Sequence, residues 1–140
     1  MKPRLARATL ATISLLCASG LALAQQNVDF GKREYDSNCA GCHGPKGKGD
    51  GAYAAYLTKT PTDLTILAKT NGGVFPYQKV YETIDGRHAV AAHGPRDMPI
   101  WGADYLRQAP VDSVVFFDPE VFVRSRIWAL IDYINRLQQK

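Results

Sequence analysis

Residues 39–43 carry the side chains best suited to chemistry, and they read CAGCH. Two thiols separated by two residues and followed at once by an imidazole are typical of three kinds of site. Such a group can bind zinc, cycle between a dithiol and a disulfide, or carry a covalently attached haem. Each chemistry needs different residues elsewhere, so the rest of the chain distinguishes between them.

The sequence gives little support to zinc or to a disulfide. A structural zinc site takes four nitrogen or sulfur ligands, often as two close pairs. No second cysteine pair accompanies this one, and His88 and His93 lie far along the chain. A redox-active pair sits at a helix start behind a strand, and no strong strand pattern precedes Cys39. A structural disulfide across two residues would close a very small loop and stabilise the fold little.

Covalent haem uses every element of the motif. The thiols of Cys39 and Cys42 add to the two vinyl groups of the macrocycle, and the imidazole of His43 binds the iron from one face. The third cysteine, Cys17, lies in the apolar stretch near the N-terminus. The single motif predicts one haem c and excludes a two-haem peroxidase.

Met98 is the best candidate for the second axial ligand, because it is the one methionine besides Met1. Pro99 restricts its backbone to extended conformations, which suits a loop that lays one side chain over the haem. A methionine that fills a gap in the core is the alternative. Of the two rival imidazoles, His93 lies closer in sequence to Met98 than His88 does. A histidine and methionine pair raises the reduction potential of the iron.

The first 24 residues are predicted to be a secretory signal peptide. Basic side chains precede an apolar run over residues 10–23, and the small-x-small sequence ALA ends at Ala24. This run is short for a membrane span, so we expect no stable membrane insertion. Cleavage after Ala24 would leave a periplasmic domain of residues 25–140. An uncleaved anchor and a lipoprotein signal at Cys17 are the alternatives.

Cleavage would also change the charge. The segment removed holds three of the 17 Lys and Arg residues and none of the 13 Asp and Glu residues, so the net charge falls from +4 to +1. A domain with so little excess positive charge lacks the electrostatic pattern of a nucleic-acid-binding protein.

An attachment motif near the N-terminus and a Met-Pro loop late in the chain resemble the class I c-type cytochromes, the monohaem His/Met family. The resemblance covers residues 25–140. The order of the two motifs argues against four-helix-bundle c-type cytochromes, whose haem motif lies near the C-terminus. It implies a small all-α domain around one covalent haem, with iron held by His43 and Met98. It also implies a one-electron carrier between redox proteins rather than an enzyme.

Helical signals agree with that fold. A first helix capped by Asn27 or Asp29 is expected to run into the CAGCH motif. A second is expected over residues 74–84, starting at Pro76 and stopping near Gly86.

The last helix is predicted to begin at Asp118 and Pro119, a capping residue followed by a proline at the first helical position. Its apolar residues recur at helical spacing, namely Val123, Ile127, Leu130, Ile131, Ile134 and Leu137. Arg124, Arg126, Asp132, Arg136 and Gln138 are expected mostly on the other side. The family resemblance implies that the first and last helices cross with Gly31 against Tyr133 or Trp128.

The segment after the motif, residues 44–51, is predicted to be a loop because it is rich in glycine. Its glycine spacing and the lack of a preceding strand exclude a phosphate-binding loop. Lys46 and Lys48 are expected to be solvated or to form a basic rim. The resemblance implies that a carbonyl near Pro61 accepts the N–H of the iron-binding imidazole. Either Pro61 or Thr62 can supply it.

Two groups of apolar residues each have two possible locations. Tyr77 and Tyr81 are expected to line the haem pocket or to pack in the core. The run Val114–Phe117 is expected to be buried against the haem or to meet a partner. A large exposed patch there would favour the cytochrome subunit of an exported dehydrogenase over a monomeric carrier. A haem enzyme or gas sensor would need Met98 to leave the iron.

Overall fold

The computed structural model describes residues 28–88, 97–110 and 118–139. Within these ranges the chain is helical and has no strand, which confirms the all-α prediction. The helices are α1 (Phe30–Asn38), α2 (Ala40–His43), α3 (Leu67–Thr70), α4 (Tyr77–Asp85), α5 (Trp101–Gln108) and α6 (Pro119–Arg136), with 3₁₀ turns at Ala54–Tyr56 and Leu64–Ile66. The predicted signal peptide, His93 and the run Val114–Phe117 lie outside the described residues. In the part of the chain that is described, no helix has the length and apolar character needed to cross a membrane.

Helix α1 begins where the sequence predicts. The carboxylate of Asp29 accepts a hydrogen bond from the backbone N–H of Lys32 at 2.9 Å, so Asp29 is the capping residue. The other candidate, Asn27, lies outside the described residues. At the far end, the N–H of Cys39 donates to the Tyr35 carbonyl at 2.8 Å. Helix α1 thereby delivers the chain directly into the CAGCH turn.

Helices α1 and α6 cross at Gly31. A Cβ atom placed on Gly31 would lie 2.1 Å from the carbonyl oxygen of Ala129 and 3.1 Å from the Cβ of Tyr133. The rings of Tyr35 and Tyr133 lie 5.0 Å apart beside this contact. Tyr133 is therefore the aromatic partner at the crossing. Trp128, the other candidate, is 47% exposed.

Helix α6 supplies half of the buried apolar residues in the described part of the chain. Asp118 caps it by accepting a hydrogen bond from the N–H of Glu120 at 2.9 Å, and Pro119 is its first residue, as predicted. The buried apolar residues include five of the six predicted, namely Val123, Ile127, Leu130, Ile131 and Ile134, while Leu137 is half-buried.

Arg126 departs from the expected polar face of α6. Its Nη2 lies 2.7 Å from Oε2 of Glu34 in α1, and its guanidinium lies 4.2 Å from the ring centre of Tyr105 in α5. The side chains of Arg126 and Glu34 are only 13% and 8% exposed. The difference arises because α1 and α5 both pack against this side of α6, which residue spacing alone does not reveal.

Helix α4 begins and ends close to the predicted Pro76 and Gly86. Pro76 is the N-cap and Tyr77 the first helical residue, so Val74 and Phe75 of the expected range 74–84 lie outside the helix. The helix ends at Asp85 with Gly86 as the C-cap, where a φ of +67° suits a glycine. The excluded Phe75 is buried in the core instead. Tyr77 and Tyr81 pack against Trp128 of α6, with ring centres 6.4 and 5.7 Å away. Both tyrosines therefore pack between α4 and α6.

Candidate functional site

The CAGCH motif follows α1 directly, with Cys39 at the N-cap of α2 and the other four residues forming that single helical turn. The N–H groups of Cys42 and His43 both donate to the carbonyl of Cys39, at 3.1 and 2.9 Å. The two cysteines are not joined to each other, and Cys39 is buried while Cys42 is half-buried. Burial raises the pKa of the Cys39 thiol to about 12. The turn therefore presents two thiols about one helical turn apart, next to an imidazole.

The imidazole of His43 is oriented by a backbone carbonyl. Its Nδ1 lies 3.0 Å from the carbonyl oxygen of Thr62. A carbonyl oxygen only accepts hydrogen bonds, so Nδ1 carries a proton, and in the neutral imidazole Nε2 then has the lone pair that can bind a metal. Of the two carbonyls left open by the sequence, Thr62 supplies the bond. The Pro61 carbonyl instead faces Gly49, where an added Cβ would lie 2.3 Å from its oxygen.

The glycine-rich segment after the motif folds back over it as the predicted loop. The N–H of Gly49 donates to the His43 carbonyl at 2.8 Å, and that of Gly51 donates to the Cys42 carbonyl at 3.1 Å. The buried Tyr35 hydroxyl donates to the Gly44 carbonyl at 2.6 Å and ties the loop to α1. These bonds occupy the backbone groups of the turn and leave the side chains of the motif available.

Met98 lies in the segment before α5. It is half-buried and packs against the core cluster to which Cys39 belongs. The neighbouring Asp97 pairs with Lys59 at 2.5 Å, and both side chains are mostly exposed. His88 is exposed in the turn after α4. The three motif residues therefore lie together, and Met98 packs on the same core.

Sequence reasoning did not identify the apolar surface beside the motif. Tyr53 and Tyr56 are 62% and 85% exposed, and Leu57 is 42% exposed. The ring of Tyr53 covers Gly41 of the motif so closely that a Cβ there would lie 2.8 Å from it. The clustering of these three large apolar residues within positions 53–57 is the feature of the sequence that could have indicated this surface. Lys46 and Lys48 are exposed nearby.

The donor set fits haem c better than it fits a metal ion alone. In residues 28–88, 97–110 and 118–139, no group of three or more His, Cys, Asp or Glu side chains is placed to hold a metal ion. Two unpaired thiols and an imidazole with a free Nε2 are what covalent attachment and axial ligation of a haem require. A thioether packed on the same core can supply a second axial ligand.

Comparison with known proteins agrees with this geometry. Residues 26–117 match the family model described as cytochrome C oxidase, cbb3-type, subunit III. No curated protein and no solved structure matches the chain. The matched range includes the CAGCH motif and Met98 and covers well over half of the chain. The chain therefore belongs to this family of class I c-type cytochromes, whose cofactor is haem c.

Proposed function

We propose that this protein is a one-electron carrier with one covalently attached haem c. The observation that carries the proposal is the His43 geometry, in which the Thr62 carbonyl holds Nδ1 at 3.0 Å and leaves Nε2 available for iron. Family membership supports a haem-based electron-transfer role. Cys39 and Cys42 would form the thioether bonds to the haem, and His43 and Met98 would bind its iron.

When bound, the haem supplies an iron that alternates between ferrous and ferric states. The protein residues determine where that iron lies and how easily it is reduced. The hydrogen bond from His43 to Thr62 fixes the ring orientation and increases the basicity of the ligating nitrogen. If Met98 also bound the iron, its thioether would favour the ferrous state and raise the reduction potential. His43 and Met98 together would then leave no position for a substrate, and a one-electron carrier would need no general acid or base.

The exposed apolar surface formed by Tyr53, Tyr56 and Leu57 supports contact with a redox partner near the motif. Transient redox contacts are small, so a few apolar side chains beside the CAGCH motif would be sufficient. A net charge of +1 for residues 25–140 gives little long-range steering. Docking is therefore expected to depend only weakly on salt concentration.

A second candidate function is that of a cytochrome subunit in a larger redox complex, such as an exported dehydrogenase. The family description names a subunit of an oxidase, which favours this possibility. The chemistry at the iron would be the same, with a permanent partner in place of a transient one. Native gel electrophoresis of gently solubilised, periplasm-containing extracts distinguishes the carrier from the subunit. A carrier migrates alone, and a subunit migrates with its complex.

Covalent attachment is tested by haem staining after denaturing electrophoresis of the exported protein. We expect stain to remain with the polypeptide, at a size consistent with cleavage after Ala24. Cys39→Ser or Cys42→Ser should remove most of it, whereas Cys17→Ser should leave it unchanged because that residue lies in the proposed signal peptide. Stain that is equally strong in both motif variants would contradict the proposal.

A further inference from the structure

A part-buried charged cluster lies where the end of α4 meets the starts of α5 and α6. Arg87 donates from Nε to Asp85 at 2.6 Å, and from Nη1 and Nη2 to the two carboxylate oxygens of Glu120 at 2.6 and 2.9 Å. Nη2 also reaches the second oxygen of Asp85 at 3.3 Å. These three residues, termed here the Arg87 clamp, tie the end of α4 to the first turn of α6.

The Asp85–Arg87 part of the Arg87 clamp is more shielded from water than an ordinary surface pair. Asp85 is 5% exposed at its side chain and Arg87 is 19% exposed. All three guanidinium nitrogens of Arg87 donate, and each of the two carboxylates accepts a pair of these hydrogen bonds. Such bidentate pairs combine opposite charge with fixed geometry. By contrast, the pair of Lys59 with Asp97 is 72% and 58% exposed, and exposed pairs contribute little.

The Arg87 clamp also sets the position of α5. A Cβ placed on Gly102 would lie 1.7 Å from Oδ1 of Asp85 and 2.7 Å from Nε of Arg87. The first turn of α5 therefore rests its backbone directly on the clamp, at a position that only glycine fits. Gly102 follows Met98 by four residues, and Pro99 between them has a fixed φ. The clamp thus anchors the end of the segment that carries Met98.

We propose that the Arg87 clamp is the positioning element that holds the Met98 sulfur over the haem iron. This inference rests on the proposed ligation of the iron by Met98. A ligating loop exchanges between a closed form with sulfur bound and an open form with the site free. An anchor that stabilises only the closed arrangement shifts the population toward it. The weak Lys59–Asp97 pair at the other end of the segment leaves the clamp as the stronger anchor within the described residues.

The test uses the haem-loaded protein with Arg87→Lys and, separately, Glu120→Gln. Lysine keeps the charge but cannot form the two forks, and the milder Glu120→Gln changes a side chain that is 47% exposed. The readouts are the far-red sulfur-to-iron band of the ferric protein and the rate of carbon monoxide binding to the ferrous protein. We expect each variant to increase the open population and the binding rate about tenfold, which corresponds to about 1.4 kcal/mol.

Glu34→Gln is the matched control, because it weakens a second shielded pair among the described residues, Glu34 with Arg126 at 2.7 Å, between α1 and α6. It should lower the urea midpoint while leaving the band and the binding rate unchanged. Clamp variants that lose stability but bind carbon monoxide as slowly as this control would overturn the inference and leave Met98 ligation intact. Unmutated protein without the band would refute Met98 ligation and the role of the clamp together.

Discussion

Replacement of Gly31 by alanine tests the helix crossing that holds the fold together. The Cβ of the new residue would lie 2.1 Å from the Ala129 carbonyl oxygen, about 0.9 Å closer than the 3.0 Å limit that real Cβ contacts respect. Both partners are helix backbone, so neither side chain rotation nor local adjustment relieves the overlap. Helices α1 and α6 must therefore separate.

The size of the effect follows from that separation. A gap of about 0.5–1 Å forfeits a quarter to a half of the dispersion energy between facing atoms. Overpacking of this kind costs about 1–3 kcal/mol, and a backbone overlap belongs at the top of that range. Alanine returns about 1 kcal/mol through its higher helix propensity. We expect a net loss of about 2 kcal/mol in the free energy of unfolding.

Urea denaturation of the haem-loaded protein, followed by far-ultraviolet circular dichroism, measures this loss. With a slope near 2 kcal/mol per molar urea, the midpoint should fall by about 1 M. Gly41→Ala is the matched control, because its Cβ meets only the ring of Tyr53, which is 62% exposed and free to move. A Gly31→Ala protein as stable as the unmutated protein, or more stable, would refute the reasoning.

Three further predictions follow from local geometry. Gly49→Ala places a Cβ 2.3 Å from the Pro61 carbonyl oxygen, at a φ of +79° that disfavours alanine. The shift of this peptide should weaken the hydrogen bond from the His43 ring to the neighbouring Thr62 carbonyl and raise the reduction potential measured by redox titration. Arg87 lowers the pKa of Glu120 from 4.5, so this pairing stabilises the fold above pH 4.5 and is lost as pH falls; the stability difference from Glu120→Gln should shrink toward zero in acid. Asp118→Ala should cost about 1 kcal/mol in urea denaturation, whereas Asp118→Asn should cost less. A Glu120→Gln difference that is constant from pH 3 to 7 would contradict the second of these.

Signals confined to a few neighbouring residues predicted the structure well. The capping of α1 by Asp29 and the start of α6 at Asp118 and Pro119 depend on bonds within one turn of helix, and the sequence contains all the participants. The loop of residues 44–51 follows from its glycines in the same way. Local chemistry therefore located the ends of these helices before any tertiary contact was known.

Features that depend on the packing of distant segments were not predictable. Arg126 meets Glu34 across 92 residues, and Arg87 meets Glu120 across 33, so neither partner appears in a local pattern. The choice of Thr62 over Pro61 depends on how one peptide plane faces a ring 19 residues earlier. Periodicity placed Arg126 on the polar side of α6 because it cannot indicate which neighbouring helix covers that side.

The most direct test of the central claim is carbon monoxide binding to the reduced, haem-loaded protein, compared with its Met98→Ala variant. If His43 and Met98 fill both faces of the iron, the unmutated protein should show a low-spin spectrum that carbon monoxide does not change. The Met98→Ala variant should bind carbon monoxide readily. Ready binding by the unmutated protein would contradict the account and indicate an iron with an open sixth position.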